Sequence, residues 1–181
     1  RKMAEAFVNQ VNRAVGIVTS SSNASIGVGL TWMSGISTAH VAIHDIVDNA
    51  NFIAGTKVTL VGVSSVQLDR ASTNTVAATA SNVSFLGPTT SYTSASATKS
   101  ILIGGTFANN TANSVNLTVT VYDNSATTES QLAAKIPVPT GSSFVISDAG
   151  KTVLEGDDEV RVYCDVENAI DVNLSILKGV S

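Results

Sequence analysis

Short runs of strict apolar–polar alternation, each closed by turn residues, limit the folds open to this chain more than any other feature. Val115-x-Leu117-x-Val119-x-Val121, Val160-x-Val162-x-Cys164-x-Val166 and Ile170-x-Val172-x-Leu174-x-Ile176 put every second side chain on one face. That is the pattern of half-buried strands. Ile101–Ile103, Phe144-Val145-Ile146 and Val153-Leu154 extend the series to seven or eight strands. Turn signals recur about every ten residues, the spacing of an antiparallel β-sandwich. Ile136-Pro137-Val138-Pro139 belongs on an edge or a bulge, because its two prolines withdraw ladder donors.

The earlier part reads differently. Residues 17–28 form a strand, a turn over 20–25 and a second strand. Between Gly35 and Leu68 short apolar segments recur at close intervals, bounded by Gly, Asn and Asp, as in a small all-β unit. Gly87-Pro88 is a break, and residues 89–98, nearly all Ser, Thr and Ala around Tyr92, suit a linker or an edge strand. In residues 3–15 the spacing of four between Met3, Phe7, Val11 and Val15 predicts an amphipathic helix, with Gly16 as its terminating residue. A helix this short is marginal alone. Met3, Phe7, Val11 and Val15 must therefore dock on something, either the chain's own domain or a neighbouring subunit, and the reading adopted is the neighbour, which makes them an assembly interface.

The expected fold is all-β: a short N-terminal helix, a small β unit, then an antiparallel β-sandwich. Its parts are an N-terminal helical arm at 1–16, a small β domain at 17–88, a linker or edge strand at 89–98, and the β-sandwich domain at 99–181.

Composition narrows the function classes. Only 13% of the residues are charged while 44% are hydrophobic, and there are two histidines and one cysteine. Ser, Thr and Asn carry most of the polarity, which suits the solvent face of a pleated sheet. A net charge of −4 leaves no cationic footprint for a nucleic acid. No apolar run approaches the roughly 20 residues of a membrane-spanning helix. Cys164, the single cysteine, cannot form a disulfide within one chain.

The second half resembles a β-sandwich module of structural proteins of tailed bacteriophages, of the marine and cyanobacterial phage type. The likeness is carried by Thr98-Lys99-Ser100-Ile101-Leu102-Ile103-Gly104-Gly105-Thr106-Phe107-Ala108-Asn109, the run from Val115 to Tyr122, and Ile136-Pro137-Val138-Pro139-Thr140-Gly141-Ser142-Ser143. It continues through Lys151-Thr152-Val153-Leu154-Glu155 and Asp158-Glu159-Val160-Arg161-Val162. The middle segment resembles a small β unit of phage fibre and virion proteins, through Ile53-Ala54-Gly55-Thr56-Lys57-Val58. That pattern usually has Gly where this chain has His44. The two resemblances span roughly residues 35–69 and 98–181, and their motifs specify architecture more than task.

Candidate reactive groups each meet a plainer reading. His40 and His44 have the spacing of two zinc ligands on a helix, followed by Asp45 and Asp48, but no Glu follows His40 and the flanking Val and Ile suit a β unit. Ser96-Ala97-Thr98-Lys99 matches a Ser-x-x-Lys nucleophile without its partner motifs. Glu155, Asp157, Asp158 and Glu159 around Gly156 lack EF-hand spacing and read as a charged hairpin turn. Cys164 alternates with valines as a buried small residue. Trp32, Tyr92, Tyr122 and Tyr163 are too dispersed in sequence to define a sugar platform. Asn-x-Ser/Thr sequons begin at Asn23, Asn82, Asn109, Asn116 and Asn173.

No catalytic, metal-binding or cofactor-binding residues are expected. The reading is a non-enzymatic virion protein, an oligomeric accessory component of the capsid surface or of the neck or tail. It would be assembled in the host cytoplasm, with other virion proteins and copies of itself as partners. The alternative is a receptor-binding or fibre module for host-surface glycan.

Overall fold

The structure, a computed structural model, describes residues 5–147 and 151–180, and Met3 lies outside them. Among these residues there are fifteen strands and no helix. They are β1 (Ala6–Val15), β2 (Ile17–Ile26), β3 (Trp32–Ser34), β4 (Ile46–Asp48), β5 (Val58–Val61), β6 (Ser65–Leu68), β7 (Ala78–Gly87) and β8 (Thr89–Thr93). Then follow β9 (Lys99–Asn109), β10 (Val115–Asp123), β11 (Thr128–Val138), β12 (Ser143–Ile146), β13 (Thr152–Leu154), β14 (Glu159–Cys164) and β15 (Ile170–Val180). The all-β class holds. The chain divides into two compact units: Ile17–Pro88, and the residues up to Gly16 together with those from Thr89 onward.

The discontinuous unit is a sandwich of two antiparallel sheets. One runs β1-β15-β9, with β12 and β13 both pairing on the far side of β9; the other runs β11-β10-β14-β8. Leu102, Phe107, Leu174 and Ile176 of the first sheet and Leu117, Val119, Val160 and Val162 of the second share one buried core. Each such side chain contributes about 1.5–3 kcal/mol through burial. Residues 89–93, as β8, form the outer strand of the second sheet by pairing with β14.

The expected N-terminal helix is not formed. Residues 6–15 are β1, paired antiparallel with β15 from Ala6↔Lys178 to Asn12↔Val172. The physical reason lies in the period: a spacing of four is also a multiple of two, so Phe7 and Val11 share a strand face as readily as a helix face. A short helix is weak in isolation, whereas β15 offers a row of backbone donors and acceptors that a strand satisfies at once. A bulge between Asn12 and Val15 reverses the parity, with Ala14 at φ 55° and its N–H donating to Asp171 Oδ1 at 2.8 Å. Val15 therefore turns into the core while Phe7 and Val11 stay outside. Gly16 ends a strand, not a helix. Its φ is +137°, and a Cβ there would meet the Val166 carbonyl oxygen at 2.2 Å, so only glycine fits.

The continuous unit is one sheet in the order β4-β7-β2-β3-β6-β5. Its two ends meet. The Val47 N–H donates to Thr56 O at 2.8 Å, Val58 N–H to Asp45 O at 3.0 Å and His44 N–H to Val58 O at 2.9 Å. The ladder thus closes into a small barrel, the arrangement that leaves fewest open edges. Ile26, Met33, Val58, Val66, Val83 and Phe85 fill it.

Candidate functional site: the outer face of the first sheet

Strand register assembles an apolar ridge on the outside of the sandwich. Phe7, Leu177, Ile101 and Val153 stand opposite one another across β1, β15, β9 and β13. Paired residues of antiparallel strands share a face, so these four form one row. Phe7 is 76% exposed and Val153 55%. The next outward row is small, Asn9–Ser175–Gly104, and the one after it is Val11–Asn173–Thr106–Val145. Val11 and Val145 are also well exposed, at 60% and 55%.

Of the four residues that the sequence nominates for assembly, Phe7 and Val11 stand on this face. Val15 is buried in the sandwich core, and Met3 is outside the described residues. Ile101, Val145, Val153 and Leu177 join the face without having been singled out. A signal was present for three of them: Ile101-Leu102-Ile103, Phe144-Val145-Ile146 and Val153-Leu154 are apolar without alternation, so each run must present an apolar side chain outward.

The outer face of the second sheet carries a closed polar clasp. The carboxylate of Glu129 accepts the Thr120 hydroxyl, the Tyr163 hydroxyl at 2.9 Å and Arg161 Nη1 at 3.5 Å. Arg161 Nε donates to Glu159 Oε2 at 2.7 Å, an atom that also accepts the Thr90 hydroxyl at 3.0 Å. The guanidinium lies 3.9 Å from the centre of the Tyr122 ring. Burial disfavours the guanidinium charge, but Glu159 and Glu129 outweigh it and hold the group above its ordinary value. Burial, reinforced by the Glu129 charge, pushes the Tyr163 hydroxyl far above the tyrosine range. The clasp satisfies its own members, as a structural network does.

The remaining candidates fall in separate places. His40 and His44 lie in turns before β4, with φ of 65° and 79°; the left-handed conformation at 44 accounts for Gly being usual there in the resembling unit. Asp45 is buried, and its Oδ2 accepts the Ala42 N–H at 2.8 Å. Among the described residues no group of three or more His, Cys, Asp or Glu side chains is placed to hold a metal ion. Ser96 sits in a turn closed by Thr98 N–H to Ala95 O at 3.1 Å, and Lys99 is paired with Glu155 at 2.9 Å. In the acidic turn Asp158 is inward: its carboxylate accepts the N–H groups of Glu155 at 2.8 Å and Asn124 at 3.1 Å. Burial pushes the Cys164 thiol up to about 11. Of the aromatics, Tyr122 and Tyr163 serve the clasp and Tyr92 is buried beneath Lys178, whose Nζ is 5.3 Å from the ring centre. Trp32 is half exposed beside Gln67. The sequon amide of Asn109 donates to the carbonyls of Asn113 and Val138, and that of Asn116 to Asp165.

Fold and site together define an all-β protein in which a closed barrel interrupts the sequence of a two-sheet sandwich, with an apolar ridge on one outer sheet face. No family model matches the chain, and no curated protein matches it. Among solved structures, a chain in the structure of infectious bursal disease virus Gx strain aligns at a TM-score of 0.29 and 12% identity, over 96% of this chain and 55% of that one. Arthrobacter globiformis T6 isomalto-dextranase complexed with panose aligns at a TM-score of 0.22 and 12% identity, over 96% of this chain and 34% of the other. This chain thus spans about half the length of the first and a third of the second.

Proposed function

We propose that this chain is a non-enzymatic structural component of a tailed-phage virion, an oligomeric accessory protein of the capsid surface or of the neck or tail. The observation that carries the reading is the ridge Phe7–Leu177–Ile101–Val153, an apolar row set by strand register, exposed at Phe7 and Val153 and half-buried between them. Solvent-exposed apolar rows of this kind mark association surfaces. The ionisable groups that do come together, Glu129, Arg161, Glu159 and Tyr163, are occupied with one another, which supports a mechanical role. The module resemblance in residues 98–181 supplies the virion context. Mass spectrometry and antibody labelling of purified particles test the reading: the chain is expected at constant stoichiometry and at one defined location. Its absence from particles, with the protein present in infected cells, overturns it.

The second reading, a receptor-binding module for host-surface glycan, draws on Trp32, whose half-exposed indole stands beside Gln67 on the barrel. An aromatic face next to an amide is the pairing sugars use. Glycan-array binding by wild type and its loss in Trp32→Ala would favour it.

A further inference from the structure

We infer that the outer face of the first sheet is a self-docking surface whose partner is a second copy of this chain, packed sheet on sheet. The inference rests on the assembly reading above and names its partner. Three observations carry it.

The first is relief. The ridge Phe7–Leu177–Ile101–Val153 runs beside the trough Asn9–Ser175–Gly104. Same-face rows lie two residues apart on β1 and β15, about 6.7 Å along the strands. On β9 the ridge and trough residues are three apart, because Ile103 is an unpaired bulge residue next to Gly104. A two-fold axis lying between two such sheets, along the rows and midway between ridge and trough, sets each ridge into the other copy's trough. The contact is then made twice, as an isologous interface requires.

The second is charge. No paired residue of the ridge, the trough or the row Val11–Asn173–Thr106–Val145 is charged. The charges stand around these rows and include both signs: the Lys99–Glu155 ion pair, Lys151, Arg13 and Asp171. Two copies of a chain with net charge −4 repel elsewhere but meet here without like-charge contact. An uncharged centre with a polar rim is the anatomy of a specific interface.

The third is size. Four strands about 4.8 Å apart and three rows about 6.7 Å apart cover about 400 Å². The two-fold axis pairs the rim row beyond the ridge with the Val11 row, so four rows overlap. The face then comes to about 500 Å² per copy, about 1,000 Å² for the pair, the size a specific interface has to reach.

The test is sedimentation velocity of the full chain over about a hundredfold concentration range. Wild type is expected to dimerise. Phe7→Asp and Val153→Lys, on separate strands, should each weaken the dimer by at least about tenfold. Ser175→Trp, which fills the trough and leaves the ridge intact, should abolish it, with β circular dichroism unchanged in all three. Leu132→Asp, on the other sheet, should leave the dimer as it was. A wild type that stays monomeric throughout overturns the inference, as does a dimer that survives both Phe7→Asp and Ser175→Trp in folded protein. A monomer that binds a different particle protein through this face also overturns it. Particle composition separates the two readings: a monomeric chain recovered from particles sinks self-docking alone, and a dimer absent from particles sinks the virion role alone.

Discussion

Tyr163 donates its hydroxyl to Glu129 Oε1 at 2.9 Å across the outer face of the second sheet, with Arg161 on the carboxylate's other oxygen. Tyr163 is fully buried on a sheet face that would ordinarily be wet, so this bond replaces hydration that folding removed. Tyr163→Phe is expected to cost about 1.5–3 kcal/mol, the range for a hydrogen bond to a charged group. Glu129→Ala should cost about 3 kcal/mol or more, since it strips the buried Arg161 of one carboxylate. Urea unfolding at pH 7, followed by circular dichroism, measures both. The pH dependence has a definite sign. The folded chain keeps the tyrosine proton above the unfolded value of about 10, so stability falls as pH rises past it. Tyr163→Phe should flatten that alkaline loss; an unchanged slope would show that the clasp is not its source.

The parity of β1 gives a one-residue test. Val8 packs against the sandwich core opposite Ile176, whereas its neighbour Phe7 faces outward. Val8→Asp buries a charge and should cost about 3 kcal/mol or unfold the sandwich. Phe7→Asp should change folding stability by less than about 0.5 kcal/mol. Equal damage from both substitutions would contradict the strand assignment. Removing residues 1–15 should be worse than either, since it bares the whole edge of β15.

These same residues show what the sequence could and could not carry. Alternation in β10, β14 and β15 survives into the structure because each strand has one face on the core. At residues 7, 11 and 15 the spacing of four fits both periods, and the deciding quantity is the vacant edge of β15, some 160 residues away in sequence. The assembly face was half legible for a related reason. Phe7 and Val11 stand out in a polar context, but Leu177 joins Phe7 only through register, which no local pattern states. The clasp was illegible, because Glu129 lies some thirty residues before Arg161 and Tyr163 of β14 and meets them only when β10 sits between β11 and β14.

Asp45 should titrate against the barrel's stability. Burial raises its pKa, opposed by the Ala42 N–H bond and by His44. A carboxyl raised on folding favours the folded state while protonated and loses that contribution as pH climbs through the folded value. At pH 7 the buried charge is therefore a cost. Asp45→Asn retains an acceptor for the Ala42 N–H and removes the charge, so it should raise the barrel's melting temperature at pH 7. The gap should close as pH falls below about 4, through the unfolded value, where the wild-type group becomes protonated in both states. Trp32, the single tryptophan, lies in the barrel and reports its unfolding by fluorescence. A variant less stable than wild type at pH 7 would mean that Asp45 makes a charge-dependent contact worth more than its desolvation.

The barrel should be excisable. Ile17, its first residue, is the register partner of Gly87 at the end of β7. Antiparallel partners lie about 4.5–5.5 Å apart, so the barrel begins and ends at one point. Its hydrogen bonds close on themselves through Val47–Thr56 and Val58–Asp45, and its core is made of its own side chains. The sandwich likewise draws its core from residues up to Val15 and from Tyr92 onward. Replacing residues 17–87 by two to four Gly/Ser residues should therefore leave a sandwich that melts cooperatively, with β1 still paired to β15. Residues 17–88 expressed alone should fold as well, with Trp32 fluorescence unfolding at a urea concentration close to that in the full chain. Cooperative melting of both pieces, followed by circular dichroism and fluorescence, checks the claim. If the excised sandwich is unfolded while the isolated barrel is intact, the barrel is needed to hold Gly16 and Thr89 in place for β1 to pair with β15 and β8 with β14. If neither folds, the two units are one cooperative body and the division at Gly16 and Pro88 has no thermodynamic meaning.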